Sequence, residues 1–526
     1  MREAFPVTWD DLSDAALTWE WDDEHMPQAL TPLAGDWTCT LTEGFAYRAA
    51  RAGLAVEIEY RVINGYAYVA ERFLAPEAEV RERAKESRRA QAQILLEYWE
   101  SKVFPFLMET YRWMRSVPIE SAALPAVADA WDKYWDDLPR LWGLHYMTIS
   151  AAYQALDDLA EVYGDVMGGA APSEALRLVL GQFTVLHTVQ RDLYQLAETV
   201  RGSPAAQLIV DDPRTALTAL QEKDGGSAFA AALDTFLETH GHLGQDDLID
   251  PSWQDDPSLV LAEIRKRLLE KPEDPEAHRQ RLVAEADALV ERVRAQLSDR
   301  SIERIRFEDA LALARRVGWL TEGHNYWLDR MLQAHTRRFA LRAGGRLAEA
   351  GVLAEAADVF FLHAGEVSDA LRHPRDLRSL IADRKAEHAR WSAIRPPKYL
   401  GTPPPSRATA TSTPVGSPAT IQVLRGISAC IGIARGPARI VRSPGRFEQV
   451  QRGDVLVCPA ADPSWVPLFS IIAGLVTDTG GALSHAAVVA REFGIPAVVG
   501  TGDATQRIRD GQMIEVDGTA GEVRLQ

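Results

Sequence analysis

The residues best placed to do chemistry lie near the end of the chain, in the run TDTGGALSHAAVVAREFGIPAVVG, residues 477–500. AGLVTD before it reads as a buried strand. TGGALS reads as a loop whose glycines permit positive φ and close approach of another backbone. Ser484 is an expected N-cap, HAAVVAREF an expected helix, and Gly494 its expected stop. His485 then falls in the first helical turn, where unpaired N–H groups and the positive end of the dipole favour an anion. Imidazole is a competent nucleophile near neutral pH, its ordinary pKa being about 6.5. A phosphoryl group carried on His485 would be stabilised by the helix start, with no metal required from this region.

The elements that must position this histidine form a compact α/β region. Short apolar runs (ARGPARIV, GDVLVCPA, AGLVTD, IPAVVG, MIEVDG) alternate with two or three short helices over residues 421–526. Upstream, residues 1–395 are predominantly helical. AVADAWDKYWDDL sets Trp131 and Trp135 four apart, a spacing best explained by core packing. One exception is VEIEYRVINGYAYVAERF, where alternating residues flank Asn64-Gly65 and predict a β-hairpin with a type I′ turn. Between the two regions, RPPKYLGTPPPSRATATSTPVGSPAT replaces apolar periodicity with proline, serine and threonine. Residues 396–420 are expected to act as a tether, able to span roughly 75 Å when extended as polyproline. The fold class expected is therefore multidomain: a mostly α-helical domain with a small β-hairpin, then a compact α/β domain that bears the histidine; the resemblance given below implies that the first is a substrate domain and the second a swivelling one.

The 526 residues carry a formal net charge of −18, with 75 acidic against 57 basic side chains. No basic stripe interrupts that balance, which argues against nucleic acid and anionic membrane as partners. The amino-terminal MREAFPVTWDDLSDAAL lacks the basic start and apolar run of a secretion signal, and no stretch approaches a membrane span. Cys39, Cys430 and Cys458 are odd in number and far apart, so neither a disulfide frame nor a metal site is expected. A cytoplasmic setting is the expectation.

The segments LRGISACIGIARGPARIV, the histidine loop with its flanking strands, and DGQMIEVDGTAGEVRL together resemble the mobile domain of the phosphoenolpyruvate-utilising enzymes. The resemblance implies that His485 is the phosphorylated histidine, within a loop that includes Thr479, Gly480, Gly481 and Ser484, with Arg491 on the following helix. Leu483 stands where pyruvate phosphate dikinases have a regulatory threonine, so control by phosphothreonine is not expected. The chain ends soon after His485, so an acceptor barrel of the dikinase type is expected to be absent. No glycine-rich nucleotide loop is evident upstream. WDDEHMPQALTPL, FLETHGHLGQDDLIDPSW, EGHNYWLDRM and GRLAEAGVLAEAADVFFLHAGEV look like parts of the substrate domain of rifampicin phosphotransferases. The arrangement is similar to the histidine-bearing subunit of the split aryl-phosphate synthases that act on phenol and cresol. That resemblance implies that Mg²⁺ and ATP are bound by a separate ATP-grasp partner subunit and not by this chain. It implies a small aromatic hydroxyl compound as acceptor, with ATP yielding AMP and phosphate. A regulatory phosphocarrier, or a subunit that phosphorylates an antibiotic, are the alternatives.

A phenol has a pKa near 10, so its attack at neutral pH is helped by a general base. His242 in HGHLGQDD, flanked by turn-forming glycines between helical segments, is the leading choice; otherwise it bonds a loop backbone. Family members often follow this histidine with arginine, where this chain has Leu243, which removes a possible phosphate contact. Glu322, His324 and Asn325 in EGHNYW are further pocket residues, or else an exposed helical turn. Glu24 and His25 either line the pocket or cap a helix. His145 in LWGLHYM, amid apolar residues, either binds substrate or is a hydrogen-bonded core histidine.

Overall fold

Residues 56–63 and 66–73 alternate in sequence and pair as antiparallel strands, joined by Asn64 and Gly65 at φ 51° and 81°. Two positive φ values in a two-residue loop are the type I′ hairpin, whose twist matches that of its strands. The structure is a computed structural model describing residues 5–9, 11–169, 172–182, 185–220, 226–244, 247–270, 273–404, 422–442, 447, 449–461, 465–469, 471–482 and 484–525. It is multidomain and mostly helical, with one small sheet near the amino terminus and an α/β region at the carboxyl end. Two compact units divide the chain: Met1–Ala151 with Asp247–Asp250 and Trp327–Pro418, and Ala152–Asp246 with Pro251–Tyr326 and Ala419–Gln526.

In the first unit the hairpin is half of a larger sheet. Strands β1 (Thr18–Trp21), β2 (Val56–Ile63), β3 (Tyr66–Phe73) and β4 (Tyr399–Gly401) lie in the order β2-β3-β1-β4, all antiparallel. β4 falls inside the proline-rich stretch read as a tether. Its flank is fastened as well: the Tyr66 hydroxyl donates to the carbonyl of Ile394 (2.6 Å), and that of Tyr68 to Pro397 (2.7 Å). The remainder of the expected tether, residues 405–420, lies outside the described residues. Trp19, Trp21, Tyr66, Tyr68, Trp391 and Leu400 form the core against the sheet. Trp131 is buried and stacks on Phe339 with rings 6.0 Å apart, so the tryptophan-rich helix serves packing as its spacing predicts.

The second unit joins a helical layer to the α/β region. Leu156, Leu159, Tyr163, Val290, Val293, Phe307 and Leu311 pack together among the helices. The α/β region contributes β5 (Gln422–Arg425), β6 (Ile427–Cys430), β7 (Ile433–Ile440), β8 (Val455–Cys458), β9 (Gly474–Thr477), β10 (Ala497–Val499), β11 (Met513–Asp517) and β12 (Glu522–Leu525). Their order is β5-β12-β11-β7-β8-β9-β10-β6, with β7 to β10 parallel. Strands β8, β9 and β10 are buried at every residue, and their unbroken apolar runs suit a parallel sheet covered on both faces. The histidine loop leaves the carboxyl end of β9, the edge at which open parallel sheets present their ligand sites.

Candidate functional site

The loop after β9 is held by its own backbone. Thr477 donates its hydroxyl to the Thr479 carbonyl (2.6 Å), and Thr479 donates its own to Pro459 (3.0 Å). Gly480 has φ 103°, and a Cβ there would lie 2.8 Å from the Ser484 Oγ. The helix His485–Glu492 begins directly after Ser484. Ser484 occupies the N-cap position, but its hydroxyl donates back to the Gly481 carbonyl (2.9 Å) and caps no helical N–H. The tight turn formed by the glycines brings that carbonyl nearer than the orphan amides. The helix ends as predicted: Gly494 adopts φ 63°, its N–H reaches the Arg491 carbonyl, and Ile495 N–H reaches Ala490, the pairing of a Schellman motif. Arg491 is buried and donates to the carbonyls of Ala482 (2.7 Å) and Ala429 (3.0 Å), so it braces the loop backbone. Burial pushes its pKa down to about 10. Leu483 lies outside the described residues.

Replacing Gly480 with alanine is expected to cost about 1–2 kcal/mol through positive-φ strain and the Ser484 clash. Urea unfolding of the two proteins measures this, and an unchanged midpoint would show that the loop tolerates a side chain there.

His485 does not face open solvent. Its side chain is 13% exposed and lies against Glu322, which is 1% exposed. Nδ1 of His485 is 3.1 Å and 3.3 Å from the two Glu322 oxygens, and Nε2 is 3.3 Å from the Asn325 amide nitrogen. One tautomer satisfies all three contacts: Nδ1–H donates to the carboxylate, and the Nε2 lone pair accepts from Asn325. Glu322 and His324 lie on the short helix Leu320–His324, and Asn325 begins the π-helical turn Asn325–Arg330 that continues it. Glu322, His324 and Asn325 are all buried, which corrects the alternative of an exposed helical turn. His324 Nδ1 bonds the Leu320 carbonyl at 2.7 Å, a bond within its own helix.

The next residue, Tyr326, ties His485's neighbours to two further histidines. The ring of His242 meets Tyr326 edge-on with centroids 4.4 Å apart, and His242 is 5% exposed. His240 Nδ1 is 2.7 Å from the Tyr326 hydroxyl, and its Nε2 is 2.9 Å from Asp192. Burial lowers the pKa of His240. A neutral His240 donates Nε2–H to Asp192 and accepts the Tyr326 proton at Nδ1. Asp192, His240 and Tyr326 escaped the reading of the sequence. The available signal was a tyrosine directly after His324 and Asn325 in a segment that also carries Glu322.

The first unit gathers the other candidates. Glu24 and His25 lie in a turn after β1, not at a helix cap. His25 Nδ1 is 2.8 Å from Asp22, whose charge raises the histidine's pKa. Burial raises the pKa of Tyr60 well above its usual value. His145 is partly buried and pairs with Asp329 through Nδ1 at 2.7 Å, in keeping with the hydrogen-bonded histidine that was one of its two readings.

Residues 450–521 match the PEP-utilising enzyme mobile domain, and residues 145–322 the rifampicin phosphotransferase fourth domain. Chondramide synthase of Chondromyces crocatus is 31% identical over 562 residues, covering 99% of this chain and 14% of its own. An uncharacterized phosphotransferase of Bacillus subtilis, YvkC, is 31% identical over 390 residues, covering 72% of this chain and 47% of its own. A rifampicin phosphotransferase of Streptomyces sviceus is 32% identical over 319 residues, covering 59% and 36% respectively. The chain spans less than half the length of each of these relatives. Among the described residues no helix is long and apolar enough to cross a membrane.

Proposed function

We propose that this chain, which belongs to the phosphoenolpyruvate-utilising enzyme family through its mobile domain, carries a phosphoryl group on His485 and passes it to the hydroxyl of a small acceptor, a phenol or alkylphenol. The observation that carries the reading is the pairing of His485 Nδ1 with the buried Glu322 carboxylate. With Nδ1 protonated, Nε2 holds the nucleophilic lone pair. Once Nε2 bears the phosphoryl group the ring is cationic, and Glu322 offsets that charge in a site poor in water. Asn325, now against Nε2, is placed to donate to a phosphoryl oxygen instead.

Transfer then runs as a balanced displacement. The acceptor oxygen attacks phosphorus, the P–Nε2 bond breaks, and its electron pair returns to the imidazole. Because Nδ1 keeps its proton, the leaving group is a neutral ring. The acceptor's proton passes to a base, for which His242 remains the choice because it packs on Tyr326, the residue after Asn325. ATP with Mg²⁺, held by a separate ATP-grasp partner, supplies the phosphoryl group.

Relatives named for rifampicin phosphorylation, and the match of residues 145–322 to a domain of those enzymes, favour a second reading with a bulkier alcohol as acceptor. Incubating the phosphorylated chain with phenol, p-cresol and a rifamycin separates the two. Dephosphorylation by the phenols alone supports the first reading, and by the rifamycin alone the second. Loss of phosphate only on adding another protein would point to a phosphocarrier.

Glu322→Gln keeps an acceptor for Nδ1–H but removes the charge. Loading and unloading of His485 are expected to slow about 10- to 100-fold, the worth of a charge-assisted hydrogen bond. The ¹⁵N shifts of His485 should move from the Nδ1–H form towards a mixture of tautomers. Unchanged rates with unchanged shifts would remove Glu322 from the site.

A further inference from the structure

The second unit contains a cavity of about 340 Å³ that His485 does not line. It is bounded by the helices Val185–Val200 and Ser258–Glu270 and by the segment that follows the histidine helix. Its size is at the lower end of small-molecule sites.

Two cationic or donor groups in its wall lack the partner that their chemistry calls for. Gln190 is 4% exposed, and its Oε1 accepts from Arg267 at 2.6 Å, which fixes the amide orientation. The Nε2 group is then a buried donor with no hydrogen-bond partner among the described residues. Buried donors are nearly always satisfied, so an acceptor is missing here. Arg452 donates to the Glu270 carbonyl at 3.1 Å and has no carboxylate within ion-pair distance among the described residues.

The other charged groups at the cavity are already matched. Arg267 pairs with Glu263, Arg281 with Glu273, and His187 with Glu492. His278 Nδ1 lies 2.9 Å from Arg281 and 3.5 Å from Glu273, and its Nε2 lies 3.2 Å from the Glu492 carbonyl. One guanidinium without an ion pair among the described residues, Arg452, near which the Glu270 carboxylate lies, and one open amide therefore remain. The facing wall is apolar: Phe469 and Phe493 lie 5.9 Å apart by ring centroid, beside Ile472 and Pro496.

We infer that this cavity binds a small organic oxyanion with an apolar body, its charged end on Arg452 and Gln190 and its body against the two phenylalanines. The chemistry is shared by aromatic carboxylates and aryl phosphates. Titrating the full chain with benzoate, phenyl phosphate and inorganic phosphate by calorimetry tests it. Saturable one-to-one binding of benzoate or phenyl phosphate is expected, weakened at least about tenfold by Gln190→Leu and by Arg452→Leu. His485→Asn should bind the same probe unchanged, so a failed phosphotransfer assignment would leave this result standing. Arg452 is exposed, which keeps the test decisive where the buried Gln190 variant fails to fold. No saturable binding of either organic probe would overturn the inference, as would binding that survives Arg452→Leu or is lost with His485→Asn. Inorganic phosphate binding as tightly as both organic probes would also overturn it.

Discussion

His485→Ala and His485→Asn are both expected to carry no acid-labile phosphate after incubation with ATP and the partner, against about one per chain in the unaltered protein. The two variants should differ in stability. Alanine leaves the buried Glu322 carboxylate without its donor, at a cost of about 1–3 kcal/mol. Asparagine restores an N–H near the position of Nδ1 and recovers part of that loss. Thermal unfolding and acid-labile phosphate, measured on the same samples, separate the chemical effect from the structural one. Phosphate on either variant during turnover would remove His485 from the pathway.

His242→Asn is expected to slow transfer to an ordinary phenol by about 10²–10⁴-fold, the usual cost of losing a general base. Charging of His485 should be unaffected, because the substitution lies beyond the Glu322 and Asn325 contacts. The defect should shrink for nitrophenols, which ionise without help at neutral pH. Since His242 is buried against Tyr326, thermal unfolding of the variant must accompany the kinetics. Equal loss across phenols of different pKa would assign His242 to packing around Tyr326. The search would then pass to His324, on the short helix that also carries Glu322.

Local signals carried a large part of this architecture. The type I′ hairpin follows from two residues at its tip, and the five apolar runs of the α/β region each became a strand, β8, β9 and β10 with the continuous burial that suits a parallel sheet. The positive φ of Gly494 ends the histidine helix where a glycine was the only local cue. Contacts made across long separations left no such trace. Glu322 meets His485 163 positions along the chain, and nothing in EGHNYW alone distinguishes that buried cluster from a polar helical turn. β4 forms because β1, far earlier in the chain, offers it an edge, while its own proline-rich surroundings suggest only an extended tether. Ser484 has the composition of a cap, yet its hydroxyl turns to a nearer carbonyl. Asp192 and His240 gave no such sign: their pairing depends on Tyr326, which is contributed by a distant segment.

The central claim is a phosphoryl group on His485 that leaves for a small hydroxyl compound. It is tested most directly by loading the chain from β-labelled ATP through its ATP-grasp partner, removing nucleotide, and adding phenol in a single turnover. The account predicts that label disappears from His485 and appears in equal amount as aryl phosphate, with no further protein needed. Label that stays on the chain across phenols and rifamycins, or that departs only as inorganic phosphate, would contradict it.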